Sequence, residues 1–179
     1  MVDETVKTIS SRLVYAGKLF DLQVDEIELP GSVRATREHI RHPGAVCMVP
    51  VEDGGRLLLV RQYRHAVGER LLELPAGTRE AGEDPQETAI RELAEEVGRR
   101  PATVHELGGF FVAPGYTSEY INLYVCENLT EAQEPGDEDE DIEVVALSFD
   151  DAFAAIESGE IRDAKSVIGL LRWDRWRQR

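Results

Sequence analysis

Between Leu74 and Gly98 the chain reads LPAGTREAGEDPQETAIRELAEEVG, and its last turns crowd Glu92, Glu95 and Glu96 together. On a helix these three fall on one side, opposite Ile90, Leu93, Ala94 and Val97, whose spacing predicts packing against a core. Carboxylates on the outer face of an amphipathic helix are ordinary, but here the energetics count against that reading. Glu92 and Glu96 are like charges at i,i+4, which costs roughly 0.2–0.5 kcal/mol. All three also lie toward the helix C-terminus, where the macrodipole disfavours anions. A bound cation would reverse each penalty. Glu83, just before the helix, can reach back to the same region. Oxygen donors of this kind suit Mg²⁺ or Mn²⁺.

The helix that must position them is heavily punctuated. Asp84 is a good N-cap, Pro85 suits the first helical position, and Glu87 completes a capping box. Gly98 supplies a left-handed stop, with Arg99 and Arg100 favourably placed at the negative end of the dipole.

At 179 residues the chain can bury one good core and a small accessory segment. An apolar fraction of 42% argues for a globular protein. No apolar run approaches the ~20 residues of a bilayer span, and MVDETVKTISSRLVY lacks a signal-peptide layout, so no membrane is expected and the expected compartment is the cytoplasm. The net charge of −15 disfavours a nucleic-acid partner, and the basic tail RWDRWRQR reads as a helix end. A small anionic substrate would need local arginines and a metal. Cys47 and Cys126, in apolar runs, read as buried inert thiols, and the four histidines show no zinc-like spacing with them.

From Arg12 to Arg41 the segments RLVYAG, FDLQVDEIELPG and VRATREHIRH read as short antiparallel strands, with Pro30-Gly31 as a turn and His42-Pro43-Gly44 as a boundary. This piece (1–43) is too small to hold a core alone and is expected to pack on the main domain (44–179) or on a partner subunit. Beyond it, GAVCMVPV and RLLLVRQY read as strands of a hairpin joined by Glu52-Asp53-Gly54-Gly55. RLLELPAG, VHELGGFFVAPG, YINLYVCEN and EVVALSF are also strand-like. Ser148 caps a helix running to Glu157 and stopped by Gly159. A final helix covers Ala164 to Trp176, with Val167, Ile168 and Leu171 as its inner stripe. Hairpins interleaved with helices predict an α+β fold, a mixed sheet covered by helices.

The acidic stretch EAQEPGDEDEDIE, Glu131 to Glu143, is ordinarily a solvated loop. If it folds over the acidic helix, it adds a metal ligand and a base. Arg61 and Arg64, with Arg34, Arg37 and Arg41, are candidate phosphate holders. Tyr63 or Phe20 could stack on a base or equally belong to the core.

The run Gly77, Glu83, then Arg91-Glu92-Leu93-Ala94-Glu95-Glu96-Val97-Gly98 resembles the Nudix box, except that Arg99 stands where an aliphatic residue usually follows. RQYRHAVGERLLELPAG before it and FFVAPGYTSEYINLYV after it are similar to the ADP-ribose pyrophosphatase branch of that family, in which a proline follows the box at about the interval of Pro114. The resemblance implies a Nudix-type α/β/α sandwich preceded by the small N-terminal antiparallel β segment. It implies Mg²⁺ (or Mn²⁺) held by Glu92, Glu96, the Ala76 carbonyl and Glu140. The base would be Glu138, with Glu95 and Glu83 as rivals. Arg37 and Glu38 match substrate contacts donated across a homodimer with shared active sites, and Arg64, Thr78, Gly115 and Glu119 match contacts in the pyrophosphate and ribose pocket. Arg91 would orient the box carboxylates, with Gly77, Gly98 and Pro114 structural. The implied reaction is hydrolysis of ADP-ribose to AMP and ribose 5-phosphate. Another nucleoside diphosphate sugar or a dinucleotide polyphosphate is the alternative substrate. A non-catalytic ADP-ribose sensor is disfavoured by the intact Glu92, Glu95 and Glu96, and nothing supports a serine or cysteine nucleophile.

Overall fold

A computed structural model describes residues 5–132 and 141–179, so Glu138 and Glu140 lie outside the described residues. The chain divides into two compact units, Met1–Gly44 with Phe111–Tyr120, and Ala45–Phe110 with Ile121–Arg179.

The first unit is an antiparallel sheet of β1 (Lys7–Ala16), β2 (Asp21–Leu29) and β3 (Val33–Arg41), in that order. β2 and β3 pair without interruption from Asp21↔Arg41 to Leu29↔Val33. They turn through Gly31 and Ser32, both at positive φ. The 111–120 loop is tied to β3: the Ile40 amide donates to the Tyr116 carbonyl at 2.8 Å, and the Ser118 amide donates to the Ile40 carbonyl at 2.9 Å. Every residue of β1 is exposed, including Ile9, Leu13, Val14 and Tyr15.

The second unit contains β4 (Ala45–Pro50), β5 (Leu57–Arg64), β6 (Glu69–Glu73), β7 (Ala76–Thr78), α1 (Pro85–Val97), β8 (Arg99–Phe111), β9 (Tyr120–Glu131), β10 (Glu143–Leu147), α2 (Phe149–Ser158) and α3 (Ala164–Arg177). Its sheets have the orders β7-β4-β9-β8 and β10-β5-β6. β4 pairs antiparallel with β7 and parallel with β9, the expected mixed sheet. The central strands are apolar on both faces, as strands covered on both sides must be. Ala45, Cys47 and Val49 of β4 join Leu57, Leu59, Leu123 and Val125 in a core with α2 and α3. Val46 and Met48 join Leu58, Val60 and Tyr124 in a core with Ala89, Leu93 and Val97 of α1. Cys47 and Cys126 are both free and buried, one in each core.

Four local expectations need correction. The 52–55 turn forms, with Gly55 N donating to Glu52 O at 2.9 Å, but it does not make a hairpin. After the single bridge Val51↔Leu57, β4 and β5 part into different sheets, each buried on both faces. In α3 the buried positions are Ser166, Gly169, Leu170 and Trp173, whereas Leu171 is 52% exposed. The helix comes so close to the chain just after β6 that a Cβ on Gly169 would lie 2.5 Å from Leu74 Cδ1, and such proximity selects small residues over larger ones. Asp84 caps α1 through the Gln86 amide at 2.9 Å, not that of Glu87, and Glu87 is exposed. Glu96 is not on the outer face: it is buried, on the flank of the stripe beside Ala89 and Leu93.

Gly98 ends α1 at φ 66°, ψ 34°, donating to the Ala94 and Leu93 carbonyls. A side chain is strained there, so Gly98→Ala is expected to destabilise the chain by about 1 kcal/mol in urea unfolding, with an unchanged m-value.

Candidate active site at the junction of α1 and β7

The helix brings its carboxylates against the backbone of β7. The Ala76 amide donates to Glu96 Oε2 at 3.1 Å. One residue on, a Cβ built at Gly77 would fall 1.9 Å from Cδ of Glu92, so only glycine admits the carboxylate at this point. The strand is fixed on its other edge by β4, with Cys47 opposite Ala76 and Ala45 opposite Thr78.

A single guanidinium organises the remaining acids. Arg91 donates through Nε to Glu83 Oε1 at 2.9 Å and through Nη2 to Glu83 Oε2 at 3.1 Å. Its Nη1 lies 2.9 Å from both Glu95 Oε2 and Glu92 Oε1. Glu83 also accepts from the Glu80 amide at 3.0 Å. The hydrogen bonds from Arg91 hold the Glu83 carboxyl down at about 2, against some opposition from burial, and the same pairing raises the Arg91 pKa. Arg91 therefore supplies internally part of the compensation that the i,i+4 repulsion and the helix dipole call for. Its charge is set against those of Glu83, Glu92 and Glu95, and a second guanidinium, that of Arg79, donates from Nη2 to the Glu83 carbonyl at 2.7 Å.

Among the described residues no group of three or more His, Cys, Asp or Glu side chains is arranged as a ready metal cage. The donor chemistry nonetheless fits a hard divalent ion. Two carboxylates one helical turn apart lie against the β7 backbone, and the missing side chain at Gly77 lets the Glu92 carboxylate reach that backbone.

The other expected site residues are carried by β5, β7, β3 and the 111–120 loop. Arg64 ends β5 and is bidentate on Glu73, from Nε at 3.1 Å and from Nη2 at 2.7 Å to Oε2. Thr78 ends β7, half-buried. Arg37 and Glu38 are exposed on β3, opposite Asp25 and Val24. Pro114 and Gly115 are exposed in the loop tied to β3, and Glu119 is half-buried there.

One cluster was missed from the sequence. Glu73 is 2% exposed and accepts from Lys165 Nζ at 2.7 Å as well as from Arg64. Lys165 in turn donates to Asp163 Oδ1 at 2.8 Å. Burial alone would raise the Glu73 carboxyl, but these two cations hold it below the ordinary range. A signal existed, a glutamate between two leucines in the run RLLELPAG. Its partner lies far along the chain.

The fold and this junction define a family already resembled by the sequence. Residues 41–168 match the NUDIX domain, and the chain belongs to the Nudix family of hydrolases. It is 37% identical to the ADP-ribose pyrophosphatase of Bacillus subtilis (strain 168) over 166 residues, 92% of this chain and 90% of that one. It is 38% identical to the methanol dehydrogenase activator of Bacillus methanolicus over the same shares of the two chains. The crystal structure of an ADP compounds hydrolase superposes with a TM-score of 0.86 at 26% identity, over 98% of this chain and 96% of that one.

The Arg91–Glu83 pair carries a pH signature. Glu83 has its carboxyl depressed from 4.5 to about 2 in the folded chain, so its contribution is complete above about 4.5 and is lost as the pH falls toward 2. In urea unfolding at a series of pH values, Arg91→Met is expected to flatten the loss of stability across that acid window. An unchanged slope would show that the pair contributes nothing.

Proposed function

We propose that this Nudix hydrolase is a divalent-cation-dependent ADP-ribose pyrophosphatase, releasing AMP and ribose 5-phosphate. The observation that carries the reading is the α1–β7 junction, where Glu92 and Glu96 meet a glycine-cleared strand. Support for the substrate comes from the similarity to the Bacillus subtilis ADP-ribose pyrophosphatase and to the ADP compounds hydrolase structure.

In this reading Glu92, Glu96 and the Ala76 carbonyl hold Mg²⁺ or Mn²⁺, joined by Glu140. The bound ion would supply Lewis-acid neutralisation of the diphosphate and a more acidic water. Burial of Glu96 keeps its carboxylate fixed, so little reorganisation is needed when charge develops. Arg91 restrains Glu92 while holding Glu83 and Glu95 beside it. A carboxyl held at about 2 is a weak proton acceptor at neutral pH, which favours Glu95 or Glu138 over Glu83 as the base. Arg64 and Thr78, with Gly115 and Glu119, are the proposed substrate contacts, completed by Arg37 and Glu38 of the partner subunit. The homodimer is supported by β1, whose large apolar side chains are exposed along its length.

Glu96→Gln keeps an acceptor for the Ala76 amide but removes the charge. Turnover of ADP-ribose is expected to fall roughly 10²–10³-fold with the circular dichroism unchanged, read as AMP release with and without Mg²⁺. Near-wild-type turnover would defeat the metal assignment. Faster cleavage of another nucleoside diphosphate sugar or a dinucleotide polyphosphate would move the substrate and keep the mechanism. Light scattering of the purified chain should give twice the 20.0 kDa protomer mass. A single-chain mass would remove the partner's contacts from the scheme.

A further inference from the structure

We propose that Lys165 and Ser166, in the first turn of α3, are positioning residues for the divalent-cation site, acting through the segment Glu73–Gly77 that leads from β6 into β7. The inference rests on the reading of Glu92, Glu96 and Ala76 as the ion's ligands, and it assigns a role to a part of the chain outside that ligand set.

The segment from Glu73 to Gly77 runs from the end of β6 into β7 and is held at both ends. At one end the Ala76 amide is bonded to Glu96 and Gly77 lies against Glu92. At the other end Glu73 accepts from Lys165 Nζ at 2.7 Å, and the Leu74 amide donates to the buried Ser166 hydroxyl, also at 2.7 Å. Between them the Pro75 carbonyl accepts from the Met48 amide at 3.0 Å. Asp163 fixes both α3 residues at once: its Oδ1 accepts from the Ser166 amide at 3.1 Å and from Lys165 Nζ at 2.8 Å. The absence of a side chain at Gly169 then lets the helix lie directly on Leu74.

The type of contact argues for positioning over simple adhesion. Burying an ammonium and a carboxylate together is a poor way to add stability, because desolvation offsets most of their attraction. An apolar pair would hold α3 to the sheet at least as well. Directional bonds to a carboxylate and a backbone amide instead set where the connection from β6 enters β7. A connection shifted by a fraction of an ångström carries the Ala76 carbonyl and the Glu96 acceptor bond with it. Groups bonded to a metal's ligands typically alter affinity or activity by about 10–100-fold when lost, and Lys165 and Ser166, acting through Glu73 and Leu74, are expected at the low end of that range.

The test is Mn²⁺ affinity of the full chain without substrate, by electron paramagnetic resonance titration, alongside hydrogen exchange of the Leu74 and Ala76 amides. Lys165→Met keeps the aliphatic stem and Ser166→Ala removes one hydroxyl. Each is expected to weaken Mn²⁺ binding about tenfold, to speed exchange at both amides and to leave KM for ADP-ribose at saturating metal within about twofold. Lys165→Arg should recover part of the affinity. Val167→Ala, on the same helix but packed only into the core, should lower the melting temperature and leave Mn²⁺ affinity as in the wild type. The inference is overturned if both clamp variants bind Mn²⁺ normally, or if Val167→Ala weakens it equally. A wild-type chain that binds no Mn²⁺ and cleaves no diphosphate would instead bring down the metal reading, and the clamp with it.

Discussion

The site depends on the close approach of a helix side chain, Glu92, to the strand backbone at Gly77. Glu92 occupies space that any side chain at residue 77 would claim, and Glu96 accepts from the amide immediately before it. These contacts fix the height of α1 along β7 and its rotation about its own axis. Rotating the helix by one residue would take Glu96 from the strand and drive a different side chain at Gly77. The apolar side of α1 cannot follow such a rotation, because Ala89, Leu93 and Val97 are already interleaved with Val46, Met48 and Val60. Core packing and carboxylate placement therefore have a single common solution.

Arg91 makes that solution electrostatically tolerable. A helix end carrying Glu92, Glu95 and Glu96 has both its dipole and its like charges against it. The guanidinium at Arg91 touches Glu83, Glu92 and Glu95, and its planar fork satisfies the first of these bidentately. A lysine would deliver the same charge without the geometry. Arg91 thus offsets part of the repulsion within the chain itself.

What could be read in the sequence was what is decided locally. Asp84, Pro85 and Gly98 mark the ends of α1, and Ser148 and Gly159 those of α2, because caps and left-handed stops depend on a few adjacent residues. The acidic cluster was legible for the same reason. The depth of Glu96 was not, since it is set by β7, which reaches the helix only in the assembled sheet. The inner face of α3 was misjudged because Leu171 looks more apolar than Gly169, whereas the tight approach of Leu74 rewards the smaller residue. The 52–55 turn was visible, but the destination of the two strands it joins is fixed by distant partners, β9 for one and β10 for the other. The Glu73–Lys165 pair joins residues ninety-two positions apart, beyond the reach of any periodicity.

The parallel pairing of Ala45–Pro50 with Ile121–Cys126 has a kinetic corollary. β4 can meet β7 and α1 early, since all three lie close together in sequence, whereas β9 must close a long loop before its side chains bring any gain. Until it arrives, one edge of β4 is open along the whole strand. An unpaired edge of this kind, flanked by Val46, Met48 and Val49, is a template for strands from other chains. Refolding yield should accordingly be governed by how fast the second half of the chain docks, and dilution should help it more than any added ligand.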